Sequence, residues 1–211
     1  MRFKTAIVLL LSISTISLAS HRHNRTRSGQ AGAFDYYMLV LSWSPEFCYS
    51  HPNAAQCSQH TGFTVHGLWP QRNDGSYPVN CRTTQPAPTN PESMAGIMPP
   101  EIIEHEWQQH GTCSGLSGDD YFALIRKLYK AVSVPDRLKA PSASSTLAAK
   151  ELKQLFEQSN ANLTDASIAV QLRGNYLSAV ELCESKSTSP APVACSGIRD
   201  ANGTFVVPPV R

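Results

Sequence analysis

The chain has 211 residues, 41% of them hydrophobic and 16% charged, with a formal net charge of +2. Those values exclude a disordered polyelectrolyte and a strongly basic nucleic-acid coat, and the length suits one domain with a single sizeable core.

Residues 1–20, MRFKTAIVLLLSISTISLAS, start basic, run apolar from Ala6 to about Leu18 and end on the small residues Ser17 and Ala19. This is the layout of a secretory signal (1–19) cut after Ala19. The apolar run is shorter than the roughly 20 residues a spanning helix needs, so the expected product is secreted or periplasmic, with no membrane attachment after cleavage. The next stretch, to residue 33, is basic and lacks apolar periodicity; it reads as a disordered lead-in (20–33) before a single domain at 34–211. Six cysteines, Cys48, Cys57, Cys81, Cys113, Cys183 and Cys195, are an even number in an exported chain and imply a disulfide framework. About 15 pairings are open to six cysteines, and spacing selects none of them. A zinc site is disfavoured because no two cysteines are closely spaced.

FDYYMLVLSW (34–43) is too apolar to alternate and reads as a central strand; GFTVHGLWP (62–70) is a second strand, stopped by Pro70. Turn residues dominate 73–99, which reads as a long irregular loop. PPEIIEHEWQQHG (99–111) reads as a helix with Pro100 in its first turn and Gly111 as a left-handed stop. SGDDYFALIRKLYKAV (117–132) is a second helix, capped by Asp119 or Asp120, with Tyr121, Leu124, Ile125, Leu128, Tyr129 and Val132 on its packing face. A third helix spans about Thr146–Ser159. IAVQLRG, YLSAVELC and a GIRD-ANG-TFVV hairpin return to strands. Strands at both ends with helices between them predict an α+β fold: a mostly antiparallel central sheet with helices packed against it.

On a helix of about 100° per residue, His105, Glu106, Gln109 and His110 fall at roughly 0°, 100°, 40° and 140°, so four polar groups share one side. Glu106 and His110 are an i, i+4 pair, close enough for the carboxylate to hydrogen-bond the imidazole. HEWQQH is similar to a zinc-protease helix, but that motif needs a histidine where Gln109 stands, so no metal is expected. Adding His66 gives two imidazoles from distant segments, one beside a carboxylate. That set serves RNA transphosphorylation: the ribose 2′-hydroxyl is the nucleophile, a neutral histidine takes its proton, and a charged one protonates the departing 5′-oxygen.

FTVHGLWPQRNDGSYPVNC (63–81) and HEWQQHGTC (105–113) resemble the two active-site segments of the ribonuclease T2 family of secreted acid endoribonucleases. Weaker similarity extends from MLVLSWSPEFC to the last two cysteines, and the LVLSWSPEFC segment is closer to bacterial members. The resemblance implies a metal-independent, cofactor-free endoribonuclease that cleaves single-stranded RNA through 2′,3′-cyclic phosphates to 3′-phosphate ends and needs no protein partner. It implies His110 as base, His66 as acid, Glu106 at the phosphoryl group or orienting His110, and His105 on phosphate. Trp69 and Tyr77 match positions at which the family stacks a base. It pairs Cys48 with Cys57, Cys81 with Cys113, and Cys183 with Cys195. Gln109 stands where many members have lysine, which opens a second reading, an RNA-binding member with weakened or lost catalysis. Gln71 replaces an aspartate that helps some members read adenine, so base preference does not carry over. Asn24, Asn162 and Asn202 open Asn-x-Thr triplets that accept glycans in a eukaryotic host.

Overall fold

The segment YYMLVLSW fails to alternate because both of its faces are buried. The computed structural model describes residues 26–210; the expected signal, residues 1–19, lies outside them. The strands are β1 (Thr26–Gln30), β2 (Tyr36–Trp43), β3 (Phe63–Gln71), β4 (Tyr77–Arg82), β5 (Ser145–Ala148), β6 (Ile168–Arg173), β7 (Tyr176–Ser185) and β8 (Thr204–Val207). The helices are α1 (Ser44–Ser50), α2 (Pro100–Glu106), α3 (Thr112–Ser114), α4 (Gly118–Ala131), α5 (Asp136–Lys139) and α6 (Ala149–Ser159). β2 lies between β3 and β7, antiparallel to both; β6 is antiparallel to β7, and β5–β8 extends the sheet past the start of β7. The architecture is the expected α+β one.

From β2, Leu39, Leu41 and Trp43 enter the main core with Phe63, Val65, Leu68, Tyr121 and Phe156, while Tyr36, Met38 and Val40 form a smaller cluster with Ala179 and Cys183. Trp43 is wholly buried, so its truncation to alanine costs about 3–5 kcal/mol. The helical face expected from the sequence is the one that packs: Tyr121, Ile125 and Leu128 are buried, and Leu124, Tyr129 and Val132 pack at its margin. The cap of α4 is Ser117, whose Oγ accepts from the backbone N–H of Asp120. Asp119 instead holds Thr89, accepting from its N–H at 2.8 Å and its hydroxyl at 2.7 Å.

Several segments depart from the sequence reading. Residues 26–30, expected to be disordered lead-in, form β1 and pair in parallel with β4, itself a strand inside the expected loop. The rest of that loop is tied down: Gly118 N–H donates to Pro86 O and Arg126 to Ser93. Residues 146–148, expected to open the third helix, join Ser145 in β5 and pair with β8, in place of the expected Asn-Gly hairpin. All three disulfides are formed: Cys48–Cys57, Cys81–Cys113 and Cys183–Cys195. The second ties β4 to α3, across the helical segment 105–113.

Candidate active site

His66 is the extra residue of a β-bulge. Along β2–β3 the pairs run Val40↔Gly67 and then Leu41↔Val65, leaving His66 unopposed. Residues three apart on a regular strand face opposite sides; one bulged residue cancels that, so His66 and Trp69 share a side. Their rings meet edge to face at 5.6 Å. Ser42 Oγ on β2 lies 3.3 Å from His66 Nδ1 and fixes the ring from behind. β3 is at the sheet margin, and its outer edge is covered where Val65 N–H donates to Ile97 O.

The facing helix is not uniform. After α2, Trp107–Gly111 winds as a wider π turn in which Thr112 N–H reaches Trp107 O. Such turns insert a residue and are frequent at functional sites; the wheel of 100° steps does not hold across this one. Gly111 is not the stop, since its φ is −58°. It lets Trp107 pack, because a β-carbon there would lie 2.3 Å from the indole Cε3. Gly115, with φ +81°, ends the segment.

Glu106, fully buried, reaches across to β3. Its Oε2 accepts from Trp69 Nε1 at 2.8 Å, and its Oε1 lies 3.3 Å from His66 Nε2, an ion pair when that ring is protonated. In place of the expected Glu106–His110 hydrogen bond, the carboxylate has one hydrogen bond from Trp69 and one ion-pair contact with His66, both on β3. Gly67 makes this reach possible: a β-carbon there would fall 2.6 Å from Trp69 Nε1. His110 stacks on the Trp69 indole at 4.8 Å and 23°. Both imidazoles thus touch one tryptophan whose N–H is bound to the buried carboxylate.

The electrostatics follow from the burial. Among the described residues, Glu106 Oε1 and His110 Nδ1 are the buried side-chain polar atoms without a hydrogen-bond partner. The 3.3 Å approach of His66 is close enough for an ion pair but is not aligned as a hydrogen bond. Unpartnered buried polar atoms cost about 1–3 kcal/mol each and mark strained or functional sites. Burial lowers the His110 pKa to about 4; the Glu106 charge opposes this, and His66 and His105 add to it. His110 is accordingly neutral through the mildly acid range.

The remaining predicted residues fall around this cluster. His105 is exposed, and Tyr77 is half-buried at the start of β4. Gln109 exchanges two hydrogen bonds with Asn80, giving to Oδ1 at 2.9 Å and accepting from Nδ2 at 3.2 Å. Sequence reasoning missed Ser42, Gly67 and Asn80. The glycine between His66 and Trp69 was the readable signal; the other two act through pairings that only the fold reveals. Trp43 and Trp107 are buried core residues.

A family model described as the Ribonuclease T2 family matches residues 34–195. The chain is 46% identical over 112 residues to a protein named Ribonuclease from Aeromonas hydrophila, covering 52% of each chain; it spans about half the length of that relative. It is 29% identical over 211 aligned residues to Ribonuclease DdI from Dictyostelium discoideum, covering 86% of this chain and 88% of that one. In fold it matches ribonuclease MC1 from the seeds of bitter gourd with a TM-score of 0.64 at 21% identity, covering 82% of this chain and 99% of that one.

Proposed function

The chain belongs to the ribonuclease T2 family, and from that premise we propose that it is a metal-independent endoribonuclease acting on single-stranded RNA. The observation that carries the reading is the shared contact of His66 and His110 with Trp69, above the Glu106 carboxylate. Neutral His110 takes the proton of the 2′-hydroxyl, whose oxygen attacks the adjacent phosphorus. His66, protonated and paired with Glu106, gives its proton to the departing 5′-oxygen. In the second step water replaces the 2′-hydroxyl, the two histidines exchange roles, and the 2′,3′-cyclic phosphate opens to a 3′-phosphate. Each proton transfer is worth about 10²–10⁴-fold in rate.

His105, exposed beside the cluster, holds a phosphate oxygen. Trp69 already has His110 against its ring, so its first task is to hold that imidazole; Tyr77 remains the residue placed to stack a base. Disulfides fit a product exported to the periplasm or medium, and no helix among the described residues is long and apolar enough to cross a membrane.

One observation favours a second reading. The Gln109 amide is held by Asn80 through its oxygen and one of its two N–H donors, so the position offers the phosphorane no charge and at most one neutral donor, as an RNA-binding member with weakened catalysis would. The test is incubation of the purified protein with single-stranded RNA, with and without EDTA, scoring cyclic-phosphate ends. Cleavage indifferent to the chelator is expected. Binding without cleavage supports the second reading, and loss of cleavage with EDTA overturns metal independence.

A further inference from the structure

A chain of hydroxyls leads along β3 away from the catalytic cluster. Thr64, two residues before His66, contacts Ser44 Oγ through Oγ1 at 3.2 Å, and Thr61 Oγ1 donates to the same Ser44 oxygen at 3.4 Å. Ser44 and Thr61 line a cleft of about 390 Å³ at the head of α1. A second hollow shares Thr61 with this cleft and reaches Thr64 and Ile103, which neighbour His66 and Glu106 on their own elements. The two hollows thus share a wall at Thr61, and the second is bounded by β3 and α2, the elements that carry His66 and Glu106.

The cleft walls include Tyr49 and Tyr176, 88% and 47% exposed, which are the exposed large hydrophobic side chains among the described residues. Glu46 and Gln56, each only 8% exposed, also line it. Glu46 is neutralised by Arg173, whose Nε lies 3.5 Å away. The Cys48–Cys57 disulfide ties α1, which carries Tyr49, to the turn at Ala55–Gln59. Aromatic faces held out into solvent, with an amide and a carboxylate beneath them, suit a flat heterocycle that stacks on its faces and hydrogen-bonds at its edge.

We propose that this cleft is a distal nucleobase subsite for the same RNA chain. The proposal rests on the endoribonuclease reading above, which also sets its polarity. Trp69 and Tyr77 follow His66 in the chain and lie to one side of it; Thr64 and Thr61 precede it and lie to the other. His66 protonates the leaving 5′-oxygen, so the nucleotides 3′ of the broken bond run toward Thr64, Thr61 and the tyrosine cleft. At about 3.3 Å per residue, Thr61 lies roughly 15 Å along the strand from His66, which is beyond the first nucleotide on that side.

The test uses oligonucleotides with one ribose, at the scissile position, and deoxyriboses elsewhere. Extending the dinucleotide by two nucleotides on the 3′ side raises kcat/KM by about tenfold, as one stacked base does. The same extension on the 5′ side does not. Tyr49→Ala and Tyr176→Ala each remove most of the 3′ gain and leave dinucleotide cleavage unchanged. Equal gains from both extensions, or a 3′ gain that survives both substitutions, overturns the subsite. Failure to cleave the dinucleotide overturns the catalytic reading instead. Affinity for an all-deoxy tetranucleotide, read by fluorescence anisotropy, then decides the subsite: a fall of about tenfold in either variant supports it, and no change overturns it.

Discussion

Gly67 and Glu106 sit so close that a β-carbon on residue 67 would lie 2.0 Å from Glu106 Oε2. The strand backbone at this point is the floor over which a buried carboxylate reaches Trp69 and His66. Gly67→Ala must displace Glu106 or Trp69, and with them the two imidazoles. A displacement near 1 Å costs about 10²-fold in turnover. The expected outcome is a kcat on an RNA dinucleotide reduced by about that factor, with the thermal midpoint changed far less than for a core truncation such as Trp43→Ala. Full activity in Gly67→Ala would refute this account of the site.

Trp69 has two separable tasks, and two substitutions divide them. Its ring covers His110, whose pKa is held at about 4 chiefly by burial; its N–H fixes Glu106. Trp69→Ala admits water to the imidazole and so raises the His110 pKa. The acid limb of the kcat profile then moves to higher pH. Trp69→Phe keeps a ring over His110 but loses the hydrogen bond, so kcat falls while the limb stays near its original position. The His110 ring protons, followed by NMR across pH 3–8, report the same shift directly. An acid limb unmoved in Trp69→Ala would show that something other than this indole dries the histidine.

The partition between what was legible in the sequence and what was not has a physical cause. His66, Glu106 and His110 could be singled out by residue type, β2 because an unbroken apolar and aromatic run marks a strand buried on both faces, and α4 because burial repeats with the helical period. Glu106 was assigned the wrong partner because regular helix geometry was extended through a turn that is π-helical. Trp69 was matched to a base-stacking position by resemblance alone, and its contacts with both His66 and His110 were not legible because the bulge at His66 shifts the side on which a strand residue falls. Bulges and π turns each add one residue to a regular repeat, and a periodicity argument has no means of locating the addition. β1, β4 and β5 were missed for a related reason: short strands with mixed composition owe their conformation to partners distant in the chain.

Gln109 lies within the helical segment that carries Glu106 and His110 but is engaged with Asn80 on β4. A lysine there keeps one link, donating to Asn80 Oδ1, and adds a positive charge beside the phosphorane. Charge placed where it develops in the transition state is worth up to about 10²-fold. Gln109→Lys is expected to raise kcat on a dinucleotide by tenfold or more, with KM changing less than kcat. Unchanged or lower kcat would mean that His105 or another group already supplies that charge. Asn80→Ala separates the effects, since it frees the amide without adding charge and is expected to leave kcat within a few-fold of its starting value.

The fold itself should be steadier in acid than at neutral pH, and two carboxyls on β7 are the reason. Glu181 and Glu184 are buried, and burial raises each pKa to about 7; Asp200 adds to the rise at Glu181, while a hydrogen bond from Gln171 Nε2 opposes it. A carboxyl whose pKa is higher folded than unfolded binds its proton more tightly in the folded state. Its contribution is therefore fully present below the ordinary carboxylate range and is lost as pH rises through about 7. His110 acts in the opposite sense: its pKa is lowered to about 4, so its contribution is present above the ordinary imidazole range and is lost as pH falls through that value. Two carboxyls outweigh one imidazole. Each carboxyl is worth roughly 1–3 kcal/mol between pH 5 and 8, and the thermal midpoint should fall over that interval. Glu181→Gln and Glu184→Gln replace the ionisable group with a neutral one of the same shape, so each should flatten the fall and the double variant should flatten it most. A double variant with the same slope in thermal midpoint from pH 5 to 8 as the unsubstituted protein would rule out these two residues as its source.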